Sequence, residues 1–204
     1  MIAWRSSAPG SSPVPEPALT PEHSLKHQFL LAMPTLAGGY FGDTVTYLCE
    51  HNDDGAMGLV INRPSQLTLV ALMDQLGIDP GQTPTDLPVL DGGPVSPERG
   101  FILHSGDRRF DASLALQDGL MLTAAREVLE AIAAGEGPAE YLVALGYAGW
   151  DAGQLEQEIL ENAWLSCPAN ADVIFHEPFE QRVTKAAAVL GIDFRLMSGQ
   201  AGHA

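Results

Sequence analysis

The chain has 204 residues, 46% of them apolar and 18% charged, with a mean hydropathy of +0.04, which fits one domain or two small ones and excludes a wholly disordered polymer. Ten Lys/Arg against 26 Asp/Glu give a net charge of −16, a field that repels phosphate backbones and anionic lipid heads, so neither nucleic acid nor membrane is expected as a direct partner. Cys49 and Cys167 are too few for the disulfide framework of a small secreted domain, no apolar run is long enough to span a bilayer, and no export-type leader is visible, so a cytoplasmic location is expected.

Residues 1–24 carry Pro9, Pro13, Pro15, Pro17 and Pro21 among several serines, and a flexible, partly polyproline extension is expected there. From Phe29 onward short apolar runs bounded by Gly, Pro, Asn and Asp alternate with helical periods, a mixed α and β pattern. Strands are expected at Phe29–Met33, Val45–His51 and Met57–Asn62, the last two joined through the turn Asn52-Asp53-Asp54-Gly55. Leu59-Val60-Ile61 has no polar alternation and reads as a strand covered on both faces. Leu87–Leu90, Gly100–His104, Tyr141–Leu145, Ala163–Ser166 and Val173–Phe175 complete the expected strands. Helical stripes run through Leu69, Leu72, Met73 and Leu76 to Gly77, through Ala125, Val128, Leu129 and Ile132 to Gly135, and from Phe179 to Gly191. A further helix is expected to start at Asp151, with Gln154 completing a capping-box-like pair.

Phe29–Pro34, Tyr47–Asn52 and Gly55–Pro64, followed in order by Gly92–Val95, Arg99–His104, Leu145–Trp150, Gly153–Glu156 and the terminal Gly202-His203-Ala204, resemble the signatures of the AlgH/YqgE family of bacterial proteins. The resemblance runs from about Leu25 to the C-terminus and implies a single domain over 25–204. It also implies an α+β fold with a mixed, branched and partly barrel-like β-sheet surrounded by helices. The family is named for an effect on alginate gene expression and is often labelled a transcriptional regulator, which describes a pathway and supplies no active site. Val183 stands where relatives often carry Trp, and the Pro/Ser-rich extension has no counterpart in the family pattern; neither departure touches the motif loops.

Chemistry-bearing constellations are few. Cys49 and His51, two apart on a strand, should share a face and form a thiol–imidazole pair, although inert packing of a buried Cys beside Tyr47 is the stronger reading. His104, Ser105 and Asp107 supply triad-type residues, yet strand neighbours face opposite ways. His23 and His27 have helical spacing without a third ligand, and the Gly146/Gly149/Gly153 series meets Asp151 where an anion would sit, so neither a metal nor a cofactor is expected. Gly92-Gly93 with Arg99 nearby reads better as a tight turn than as an anion nest. Arg108-Arg109, the one adjacent basic pair, is flanked by Asp107 and Asp111, which argues against a DNA-binding stripe.

What remains is Asn62-Arg63 at a strand end, an aromatic loop Tyr147–Trp150, and the row Gln154, Glu158 and Asn162 on one helix face. Asn62, Arg63, Tyr147, Trp150, Gln154 and Glu158 are therefore the candidate site for a ligand or partner, with Trp150 bordering a partly exposed pocket that Asn62 or Arg63 reaches. A solvated helix face with a structural hydrogen-bond network competes with that reading. With no complete catalytic set, the expected function is that of a non-enzymatic regulatory or adaptor protein acting through a protein partner or small ligand. The alternative is a small enzyme such as a hydrolase using Cys49/His51 or His104.

Overall fold

The computed structural model describes residues 24–192, so the expected N-terminal extension and the C-terminal Gly202-His203-Ala204 lie outside the described residues, apart from Ser24. The fold is α+β. Among the described residues, ten strands form a curled sheet in the order β10-β1-β2-β3-β9-β6-β8-β7, with β4 and β5 attached as a branch. They are β1 (Gln28–Ala32), β2 (Val45–Asn52), β3 (Gly55–Val60), β4 (Pro64–Thr68), β5 (Pro88–Asp91), β6 (Val95–Ser105), β7 (Ser113–Ala115), β8 (Leu120–Thr123), β9 (Tyr141–Asp151) and β10 (Trp164–Pro168). Four α-helices among the described residues surround the sheet: α1 (Leu69–Gln75), α2 (Arg126–Ala133), α3 (Gln154–Leu160) and α4 (Arg182–Ala188).

The fork in the sheet is made by β9. Its first half pairs with β6 on one side and, in parallel, with β5 on the other through Leu90 opposite Ala144 and Asp91 opposite Leu145. Its second half pairs with β3, from Gly58 opposite Ala148 to Gly55 opposite Asp151. The change of partner occurs around Gly146, where the Gly92-Gly93 segment crosses β9 at backbone contact. A Cβ on Gly93 would lie 2.0 Å from the Tyr147 carbonyl carbon, and one on Gly146 would lie 2.2 Å from the Gly93 oxygen, so only glycine fits this crossing. The Gly92 N–H donates to Leu145 O and the Gly92 carbonyl accepts from Val60 N–H, which makes the segment a splice between strands.

Three apolar clusters follow from the curl. Phe29, Leu31, Tyr47, Leu59, Ile61 and Leu103 fill its inside together with Ala186 and Ala187 of α4. Leu69, Met73, Val128, Leu129 and Ile132 place α1 and α2 on one outer face against Val89, Ile102 and Val143. Leu155 of α3 packs on another with Leu30, Leu48, Trp150 and Trp164. The Leu59-Val60-Ile61 run is fully buried, as its lack of alternation implied.

Four expectations need correction. Val173–Phe175 lies within a single wide helical turn, Asp172–His176, closed by Glu177 N–H to Asp172 O at 3.1 Å, because Asn170 Oδ1 accepts from Val173 N–H and directs Val173 and Ile174 into the core. Tyr147–Trp150 is β9 strand and not a loop, since Tyr147 pairs with Val95 of β6 and Ala148–Trp150 pair with β3 despite the glycines. The cap of α3 is Gly153, with φ of 75°, and Asp151 ends β9; only the Gln154 half of the expected capping pair forms, its Oε1 accepting from Asp151 N–H at 2.9 Å. Asn162 lies beyond the end of α3 with a φ of 57°, so it does not continue the Gln154–Glu158 row.

Candidate functional site

At the hairpin end of the β2–β3–β9 unit one face is open. Beside it lies a trough of about 490 Å³ bounded by the β2–β3 hairpin, the first half of β6 and the end of β9. The trough exists because β6 leaves β9 between Val95 and Gly100, where the pairing register shifts. Its floor is apolar: Met57, Phe101 and Tyr147, with the Phe101 and Tyr147 rings edge to face at 5.7 Å between centroids. Glu50, Asp54 and Asp151 stand around it as carboxylates, and Arg99 holds its guanidinium carbon 5.1 Å from the centre of the Phe101 ring. Glu50 is paired with Lys26 at 2.8 Å.

The opposite face of the same strands is closed by α3. Trp150 is 6% exposed, stacks on Phe41 at 6.3 Å and meets Trp164 edge to face at 5.7 Å. Both indole N–H groups donate to one oxygen, Glu158 Oε2, at 2.9 Å from Trp150 and 2.7 Å from Trp164. Glu158 Oε1 accepts from Gln154 Nε2 at 2.8 Å. Trp150 thus borders the trough from the strand that carries Tyr147 and Gly149, while its ring belongs to the sealed side.

An AlgH-like family model matches residues 29–195. A UPF0301 protein of Thioalkalivibrio sulfidiphilus is 50% identical, covering 91% of this chain and all of its relative, and one of Pseudomonas putida is 52% identical over 88% of this chain and 96% of its own. The chain belongs to the AlgH-like family. The solution structure of the AlgH protein from Pseudomonas aeruginosa is 48% identical, covers 91% of this chain and 99% of its own, and superposes with a TM-score of 0.75. A crystal structure of a Corynebacterium diphtheriae protein, 19% identical with a TM-score of 0.63 over 85% of this chain and 89% of its own, shares the fold.

In this AlgH-like chain the six candidate residues fall in three places. Tyr147 lines the trough. Trp150, Gln154 and Glu158 form the indole–carboxylate network on the α3 side. Asn62 and Arg63 brace the loop before β2: Asn62 Oδ1 accepts from Val45 N–H and its Nδ2 donates to Asp43 O, both at 2.9 Å, while Arg63 lies over the Tyr40 ring at 4.8 Å. Neither Asn62 nor Arg63 lines the trough. Sequence reasoning missed Met57, Arg99, Phe101, Glu50 and Asp54 as trough residues. The strand spacing of Arg99 and Phe101, two apart on one face, was the signal available for that pair.

The candidate nucleophiles are separated or enclosed. A β-bulge at Cys49, where Leu48 opposes Gly58 and Glu50 already opposes Met57, inserts one residue and reverses the alternation. Cys49 therefore joins the core inside the curl, whereas His51, opposite Ala56, faces α3, which corrects the expectation of a shared face. Burial pushes the Cys49 thiol up to about 12, with Glu50 adding to the rise. His51 Nδ1 accepts from Leu25 N–H at 2.8 Å, leaving Nε2 to donate to Glu156 at the same distance. His104 is fully buried; its Nδ1 lies 2.8 Å from Ser105 O and its Nε2 2.8 Å from Thr123 Oγ1, and burial holds its pKa below the ordinary value. Ser105 Oγ instead donates to Asp107. Among the described residues no group of three or more His, Cys, Asp or Glu is placed to hold a metal ion, and His23 lies outside them.

Proposed function

We propose that this AlgH-like protein is a non-enzymatic, cytosolic regulatory or adaptor protein that acts through a protein partner or small ligand taken up in the β2–β3–β6–β9 trough. Any effect on transcription is then indirect, exerted through that partner. The observation that carries the reading is the trough itself, open to solvent above a floor of Met57, half-buried Tyr147 and the buried Phe101 ring, on a strand face whose other side is closed by a helix. Supporting it, Cys49 and His104 are buried and engaged, which removes the attacking group and the base that a hydrolase would need at a surface. The −16 charge opposes direct DNA binding, and two buried free thiols suit a reducing compartment.

The test is affinity capture from native cells with mass spectrometry of both proteins and metabolites, using wild type and Tyr147→Ala in parallel. A species retained by wild type and lost with Tyr147→Ala supports the reading. Turnover in a broad substrate screen that disappears with Cys49→Ala or His104→Ala overturns it in favour of the hydrolase.

A further inference from the structure

We infer, on that reading of the trough, that its occupant is a basic side chain of a partner polypeptide, an arginine or lysine flanked by apolar residues. Charge and shape both argue for it. Among the described residues, neither the Asp54 nor the Asp151 carboxylate is taken up by an ion pair, and Gly55 pairs with Asp151 across β3 and β9, which brings the two acids to one end of the trough. The cations already present mark where a ligand cation would go. Lys26 lies on Glu50, and the Arg99 guanidinium lies on the Phe101 face, the place that a quadrupole reserves for positive charge. Arg99 is exposed and has no carboxylate partner among the described residues, so a competing guanidinium can displace it without breaking an ion pair. The trough is open along its length and about 490 Å³ in volume, which suits several side chains of a peptide better than an enclosed small molecule. The Met57, Phe101 and Tyr147 floor accepts the apolar neighbours of the basic residue, while the summed charge of −16 draws a basic segment in.

An unusual sign follows. Removing a residue of the site, Arg99, frees the Phe101 face and removes a like charge, so binding should strengthen.

The experiment titrates the full chain with a capped Leu-Arg-Leu tripeptide, with matched peptides carrying citrulline or glutamate at the centre, and with argininamide alone, reading amide chemical shifts and affinity. The expected result is perturbation centred on Met57, Gly149 and Asp151, an affinity about threefold or more weaker for citrulline, and weakening of similar size in Asp54→Asn/Asp151→Asn. Arg99→Ala should bind the arginine peptide about threefold more tightly. Weaker binding by Arg99→Ala, equal binding of the citrulline or glutamate peptide, or perturbations centred elsewhere overturn the inference. Argininamide binding as tightly as the peptide overturns the polypeptide assignment. If no peptide binds while Tyr147→Ala still loses a captured species, this inference falls and the adaptor reading stands; if capture ignores Tyr147→Ala, the adaptor reading falls as well.

Discussion

The two faces of β2, β3 and β9 are built from alternate residues of the same strands, yet they treat their polar groups differently. On the α3 side Glu158 collects two indole N–H groups and Gln154, and His51 uses both ring nitrogens. On the trough side the Phe101 ring meets Tyr147 edge to face and carries Arg99 on its face, and Asp54 and Asp151 form no ion pair among the described residues. A satisfied buried network makes one arrangement of the chain unique. An open face with unpaired charge over aromatic rings is what a binding surface requires, so aromatic content alone does not mark a site.

The largest expected effect is on the closed face. Trp150→Ala should cost about 3–5 kcal/mol in denaturant melts, because it leaves a cavity beside Phe41 and Trp164. A loss below about 1 kcal/mol would place Trp150 with the open face instead. Glu158→Ala should cost about 2–3 kcal/mol by stranding two indole donors, whereas Glu158→Gln, which keeps an acceptor oxygen, should recover most of it. Equal melts for the two variants would remove Glu158 from the centre of that network.

A pH effect sharpens the comparison further. His104 has its pKa held below the ordinary 6.5 by burial, so the unfolded chain binds its proton more readily. Its contribution is complete above about 6.5 and is lost as pH falls below that value toward the lowered folded pKa. His104→Gln should therefore show a flatter stability profile than wild type on the acid side. The comparison must be made as a difference, since the His176 pKa is raised by Asp172 and Glu140 and works in the opposite sense. Smallest of all, Tyr147→Ala should cost only about 1–2 kcal/mol, since its ring is partly exposed at the trough.

Much of the framework around that site was legible. Leu69, Leu72 and Met73, or Val128, Leu129 and Ile132, repeat at helical spacing and are buried as that spacing implies. β1, β2 and β3 were readable as short apolar runs between turn residues. The trough was not, because three non-local devices make it. The extra residue at Cys49 reverses which side chains of β2 meet which face, and no pattern within Val45–Asn52 announces a bulge. The crossing of Gly93 over Gly146 turns a glycine-rich stretch into the centre of a sheet. The departure of β6 between Val95 and Gly100 opens the trough beside Tyr147 and above the Phe101 ring. β8 was missed for a simpler reason: Leu120-Met121-Leu122 lacks β-branched residues, and its strand state comes from pairing with β6 and β7. β4 opens on Pro64 and is exposed through Gln66, so it lacks an apolar signal.

The claim that function resides on the open face is tested most directly by parallel capture on three immobilised proteins: wild type, Tyr147→Ala, and Gln157→Ala on the outer surface of α3, where exposed Gln157 donates to Glu161. The account predicts that Tyr147→Ala, while still folded, loses species that wild type and Gln157→Ala both retain. Retention of the same species by all three proteins would contradict it.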